Sequence, residues 1–119
     1  MYICAMYSSE LIKGTLKTIV LNLLKDNTKM YGYEITQKVK EITDNKIQIT
    51  EGALYPTLHA LEKQGDVVVE KMYIGKRVRK YYILTDQGKI TVTDRVNELS
   101  DFMKTMRFLL DLDSSVQNV

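Results

Sequence analysis

The sequence predicts a mainly α fold with one small β-hairpin, and three observations predict it. A capped amphipathic helix over residues 50–64 is followed at once by a basic hairpin over 67–84. The chain then runs into a long helix whose apolar residues recur in alternating steps of four and three. A helix flanked by such a hairpin is the helix and wing of a winged helix-turn-helix. The expected organisation is therefore a tail over 1–7, a winged helix-turn-helix domain over 8–85, a C-terminal dimerisation helix over 86–113 and a tail over 114–119.

Composition bounds this reading. A chain of 119 residues suits one domain, large enough to bury a core but marginal enough to gain from dimerisation. The formal net charge of +2 diagnoses nothing by itself, so the argument rests on where the charges lie. From Glu70 to Lys80, the five basic residues Lys71, Lys76, Arg77, Arg79 and Lys80 oppose Glu70 alone, a local charge of +4; from Asp86 to Asp113, six acidic residues oppose four basic ones, net −2. The single Cys4 can form no internal disulfide and supplies no metal cluster, which fits a reducing cytoplasm. No apolar run approaches the roughly 18 residues of a membrane span, and the N-terminus lacks the pattern of a signal peptide. The expectation is a cytoplasmic protein with no membrane partner, no metal and no cofactor.

In chain order, Ser8 or Ser9 caps a first helix with Glu10 in its opening turn. Leu11, Ile12, Leu16, Ile19, Val20, Leu23 and Leu24 recur at helical spacing to about Lys25, and Asp26-Asn27 breaks the helix. Tyr31 to Ile42 gives a second helix with Ile35, Val39 and Ile42 inward and a Glu34/Lys38 pair at i,i+4, ended by Thr43-Asp44-Asn45. Ile47 and Ile49 alternate with polar neighbours, as a short strand pairing with the wing would.

Thr50 then stands at the N-cap of the third helix, with Glu51 complementing the positive end of its dipole. Leu54, Leu58 and Leu61 form one stripe, while Gly52, Pro56, His59 and Lys63 fall opposite, with Tyr55 and Ala60 at the margins. Pro56 removes an amide and presses its ring on the carbonyl of Gly52, so the first turn is expected to be bent or loosely wound, with small residues letting another molecule's backbone approach. Gln64 and Gly65 make the C-cap. Val67 to Tyr73 and Arg77 to Leu84 are the strands of a hairpin around Gly75. Alternation in the second strand sets Val78, Tyr82 and Leu84 on one face and Arg77, Arg79 and Tyr81 on the other. After the Thr85 N-cap, Val92, Val96, Leu99, Met103, Met106 and Leu110 form the heptad seam, and Phe102, Phe108 and Leu109 suggest further packing on the first helix.

Three groups of residues carry a family likeness: Tyr31-Gly32-Tyr33-Glu34-Ile35; Glu51-Gly52-Ala53-Leu54-Tyr55-Pro56 with Leu58, Leu61-Glu62 and Gly65; and Arg79-Lys80-Tyr81-Tyr82 with Leu84-Thr85 and Gly88. In this order and spacing the chain resembles the PadR-type transcriptional regulators across most of residues 11–89. The resemblance implies a homodimeric winged helix that binds double-stranded DNA, usually a repressor, with the third helix in the major groove and the wing beside it. The candidate DNA-binding residues are Tyr33 and Gln37 on the second helix, Gly52, Tyr55, Pro56, His59 and Lys63 on the third, and Lys76, Arg77, Arg79 and Lys80 on the wing. Val92, Val96, Leu99, Met103, Met106 and Leu110 are the candidate dimerisation residues.

No catalytic constellation accompanies these motifs. His59 is the one histidine of the chain, it lies on the outward face, and no motif places a nucleophile beside it. A phosphate-binding glycine loop is lacking too, so an enzyme is not expected. Two alternatives stay open: a winged helix used for protein–protein binding, and a regulator sensing a small molecule at its dimer interface. The chain has no tryptophan, so an effector of that kind cannot stack between indoles.

Overall fold

The computed structural model describes residues 7–112. Most of the two expected tails, and Cys4 with them, lie outside the described residues. Five helices and three strands follow in the order α1 (Ser9–Lys13), α2 (Leu16–Asp26), β1 (Met30–Tyr31), α3 (Gly32–Ile42), α4 (Glu51–Gln64), β2 (Val67–Ile74), β3 (Arg77–Leu84) and α5 (Asp86–Leu109). Helix-turn-helix and wing are formed by α3, α4 and the β2–β3 hairpin, with α5 as the long C-terminal helix.

The expected first helix is two helices. Gly14 caps α1, and Thr15 turns its hydroxyl back to the carbonyls of Leu11 (3.2 Å) and Ile12 (3.1 Å), a local bond that competes with helix continuation. Ser8 is the cap, its Oγ accepting from Leu11 N–H. Leu11, expected in the core, is exposed as a result, whereas Leu16, Val20, Leu21, Leu23 and Leu24 of α2 are buried.

A third strand exists, but elsewhere than expected. It is Met30–Tyr31, pairing antiparallel with β3 as Met30↔Tyr82 and Tyr31↔Tyr81 to give the order β1-β3-β2. Residues 46–50 form no strand because this edge of β3 is already taken and because Ile49 is used as a buried core residue. In α3, Ile35 and Val39 point inward as expected, but Ile42 is exposed at the helix end. Glu34 does not reach Lys38: its carboxylate accepts from the Tyr31 amide at 3.1 Å, satisfying a free donor of the first turn, and Lys38 pairs with Glu41. Asp44 and Asn45 adopt left-handed backbone in the turn that follows.

Helix α4 is regular through Pro56. Thr50 Oγ1 accepts from Ala53 N–H, Leu54 N–H closes on Thr50 O at 2.9 Å, and no loosened first turn is present. Pro56 is the sixth residue of the helix, past the free amides of the first turn, and the one intrahelical bond it removes is to the carbonyl of Gly52, which is exposed. Gly65 ends the helix at φ 89°, a conformation that penalises any Cβ. The hairpin closes through Gly75-Lys76, with Gly75 at φ 63° at the first turn position.

The core joins Leu54, Leu58 and Leu61 of α4 to α2, Ile35, Val39, Val67, Tyr82, Leu84 and Val92. Burial raises the pKa of the Tyr82 hydroxyl, with Glu62 and Tyr55 adding to the effect.

A buried carboxylate joins this body to α5. Asp66, directly after the α4 cap, accepts on Oδ1 from Thr91 Oγ1 (2.8 Å) and Gln87 Nε2 (3.1 Å), and its carbonyl accepts from Thr85 N–H. Thr85 Oγ1 donates to Gly65 O at 2.7 Å and accepts from Gly88 N–H at 2.9 Å. A Cβ on Gly88 would collide with the Asp66 carbonyl and stand 2.7 Å from Leu84 Cδ1, so only glycine lets α5 start this close.

Candidate nucleic-acid interface

The outer face of α4 is open. Gly52, Pro56, His59 and Lys63 are exposed, and an added Cβ at Gly52 would meet nothing nearer than Thr50 Oγ1 at 3.9 Å. Tyr55 behaves differently. Its ring lies across the start of α3, where a Cβ on Gly32 would stand 2.8 Å from Tyr55 Cζ and closer still to the hydroxyl. Gly32 is thus the residue that lets the two helices of the motif approach. On α3, Tyr33 and Gln37 are exposed one turn apart.

The wing carries its charge toward the tip. Near its base Val67 pairs with Leu84 and Val69 with Tyr82, largely inside the core; further out Lys71 pairs with Lys80, and Ile74 with Arg77. Val78 shares the face of Tyr82 and Leu84 but lies beyond the core and is exposed. Like charges placed directly opposite each other, as Lys71 and Lys80 are, weaken a hairpin by a few tenths of a kcal/mol to about 1 kcal/mol.

Wing and helices meet at a cleft of about 390 Å³ bordered by Tyr31, Gly32 and Tyr55 on one side and Ile74, Arg77, Val78, Arg79 and Lys80 on the other. Tyr55, Arg77, Arg79 and Lys80 are thus brought together. Gly52 and Pro56 instead border a separate groove with Ile12 and Leu16.

Sequence reasoning missed the side chains that hold the wing to α3. The Arg79 guanidinium carbon stands 4.0 Å above the centre of the Tyr31 ring. Tyr31 meets Tyr81 edge-on at 5.5 Å, and Lys29 Nζ lies 4.9 Å from the Tyr81 ring while pairing with Glu70 at 2.6 Å. Each partner is far away in sequence, so periodicity carried no trace of it. The strand-forming character of Met30-Tyr31 was the available signal.

Among the described residues, no group of His, Cys, Asp and Glu is placed to hold a metal ion, and no helix is long and apolar enough to cross a membrane.

Comparison with known proteins places this geometry. The chain is 34% identical to a protein of Lysinibacillus sphaericus over 111 residues, covering 89% of this chain and 97% of the other. It is 28% identical to a transcriptional regulator of Mycobacterium tuberculosis over 95 residues, covering 80% and 85%. Among solved structures, a transcriptional regulator from Clostridium thermocellum superposes with a TM-score of 0.78 at 30% identity, over 83% of this chain and 96% of that one. A PadR family transcriptional regulator from Eggerthella lenta gives 0.73 at 33% identity, over 85% and 86%. The model of the PadR-like transcriptional regulator family matches residues 20–94, from within α2 through the wing and into α5. Motifs, fold and these matches agree: the chain belongs to the PadR-like family of transcriptional regulators.

Proposed function

We propose that this protein is a homodimeric, sequence-specific DNA-binding repressor of the cytoplasm. In this reading residues 8–85 bind an inverted repeat and 86–113 hold the dimer. The observation that carries it is the cleft at which Tyr55 of the open helix α4 meets Arg77, Arg79 and Lys80 of the wing. A helix in the major groove reads base edges through such an outer face, and cations beside it neutralise phosphates. Membership of a regulator family supports DNA as the ligand, and the family resemblance supports repression. Dimerisation is supported by the exposed apolar residues Val96 and Met103 on α5 and Leu110 at its C-cap.

Selection of bound sequences from random duplex DNA tests this. The expected product is an inverted repeat with half-sites about 10 bp, one helical turn, or a multiple apart. Enrichment of an isolated half-site would remove the dimer from the account. No affinity for any duplex at low salt would leave a winged helix that binds protein.

A second reading has its own observation. A cleft of about 400 Å³ between α1, α2 and α5 is lined by Leu11, Leu99 and Phe102 together with Thr18, Arg95, Glu10 and Glu98, a mixture suited to an apolar effector that also carries polar or charged groups. Such a ligand would tune DNA binding from the dimer interface. Displacement of a bound environment-sensitive dye, and its loss in Leu11→Asp, would identify the pocket.

A further inference from the structure

The four basic residues of the wing tip and second strand are not equivalent. Arg79 is half-buried with its guanidinium face covered by the Tyr31 ring, whereas Lys76, Arg77 and Lys80 are exposed. The ring is itself fixed. Tyr31 pairs with Tyr81 in the sheet, its amide is bound by Glu34, and Tyr81 is braced by Lys29, which Glu70 holds in turn. Arginine is charged at any ordinary pH, and a side-chain hydrogen bond with Tyr81 raises the Arg79 pKa further.

We infer that Tyr31 is the positioning residue for Arg79, holding that guanidinium at the cleft between α3 and the wing as a preformed phosphate contact. This rests on the DNA-binding reading and deepens it. An arginine free in solution loses rotamer freedom when it grips a phosphate, and that ordering cost weakens binding. Stacking one face on Tyr31 meets that cost during folding, and the in-plane N–H groups not engaged by Tyr81 remain at the guanidinium edge for phosphate oxygens. Arg77 and Lys80 line the same cleft and are exposed, with no ring stacked on them.

The same geometry ties the wing's angle to the start of α3. Met30–Tyr31 runs directly into Gly32, the residue on which Tyr55 of α4 rests. Through these few residues the phosphate contact and the base-reading helix share one rigid support.

The test is a double-mutant cycle in duplex affinity across salt concentrations, with Tyr31→Leu, Arg79→Ala and the pair, and with Tyr31→Phe, Arg79→Lys and Arg77→Ala alongside. An exposed cation–π pair corresponds to about a two- to fivefold change in affinity. Tyr31→Leu should weaken binding by about that factor, and Tyr31→Phe, which keeps the ring, should restore it. In the Arg79→Ala background Tyr31→Leu should cost nothing further. Arg79→Ala should cost more affinity than Arg77→Ala, while each flattens the slope of log affinity against log salt by about 0.9. Arg79→Lys should keep the slope and lose part of the affinity, and because it leaves every core residue alone it reads the stack without risk to folding. In the free protein, ring-current shifts on the Arg79 side-chain resonances should be present and should vanish in Tyr31→Leu.

Equal losses from Tyr31→Leu with and without Arg79 would overturn the positioning role while leaving DNA binding standing. Absence of those ring-current shifts in the wild-type protein would do the same. A protein that binds no duplex, with its ring-current shifts intact, would overturn the DNA reading itself and this role with it.

Discussion

Helices α4 and α5 carry similar apolar stripes and meet opposite fates. On α4, Leu54 and Leu58 are completely buried and Leu61 is 1% exposed. On α5, Val92 is completely buried, but Val96 is 37%, Met103 51% and Leu110 54% exposed, and Phe108 reaches 87%. The stripe of α4 is satisfied within the chain because α2, α3 and the sheet surround it, whereas α5 meets α1 and α2 along one side only, through Val92, Arg95 and Leu99, and leaves Val96 and Met103 open. Periodicity identifies a face that must be covered and is silent on whether the cover is intramolecular. Helix α4 is anchored by its leucines and exposes its other side, whereas α5 exposes part of the apolar stripe itself.

The largest effect expected is on the anchored stripe. Leu58→Ala should lower unfolding free energy by about 2–5 kcal/mol, through lost burial and the cavity left behind, and denaturant unfolding will read it. The corresponding change on the open stripe, Met103→Ala, should lower the stability of a single folded chain by much less and act on self-association instead. Equal losses at the two positions in dilute protein would erase the distinction between the helices.

The joint between the two regions comes next. Gly88→Ala forces a methyl group onto the Asp66 carbonyl and Leu84, and overpacking of this kind costs about 1–3 kcal/mol. Thermal unfolding measures the loss. An unchanged midpoint would mean that α5 can tilt away from the body at little cost, and that the two helices are not rigidly linked.

The smallest effect on stability belongs to the outer side of α4. His59→Ala and Lys63→Ala should leave unfolding nearly unchanged while altering preference for particular base pairs by up to about 1–3 kcal/mol each, measured by competition between mutated operators. If stability falls and base preference does not, this side is packing surface.

Legibility in the sequence followed the range of the interactions. The caps at Ser8, Thr50, Gly65 and Thr85 were readable because a cap is decided within three or four residues, and the α4 stripe and the hairpin because their periods are local. The break at Gly14-Thr15 is local too, but one glycine is a weak signal beside seven apolar residues at helical spacing. Strand β1 was misplaced because two residues carry almost no periodic signal; Met30–Tyr31 becomes a strand only by lying beside Tyr81 and Tyr82. Ile42 was assigned inward by spacing alone, although it lies in the last turn, where α3 passes the edge of the core. Glu34 had two partners in reach, and the free Tyr31 amide took it in place of Lys38, whose exposed pair would have contributed little. In the candidate interface, residue types on the α4 face and wing were legible, but the Arg79–Tyr31 stack and the Asp66 cluster join residues more than twenty positions apart and needed the fold to bring them together.

Sedimentation velocity over a micromolar concentration series, on the parent chain and on Leu99→Asp combined with Met103→Asp, tests most directly whether the open stripe of α5 is completed by a second copy. Burying a side chain of this size stabilises by about 1.5–3 kcal/mol, so the seam residues still exposed on two chains together favour association after its ordering costs. The account predicts a dimeric parent and a variant that sediments as a monomer with its helical content kept, specific operator binding lost and only weak, sequence-independent affinity left. A parent that is a folded monomer throughout the series and still binds an isolated half-site at full affinity would contradict it.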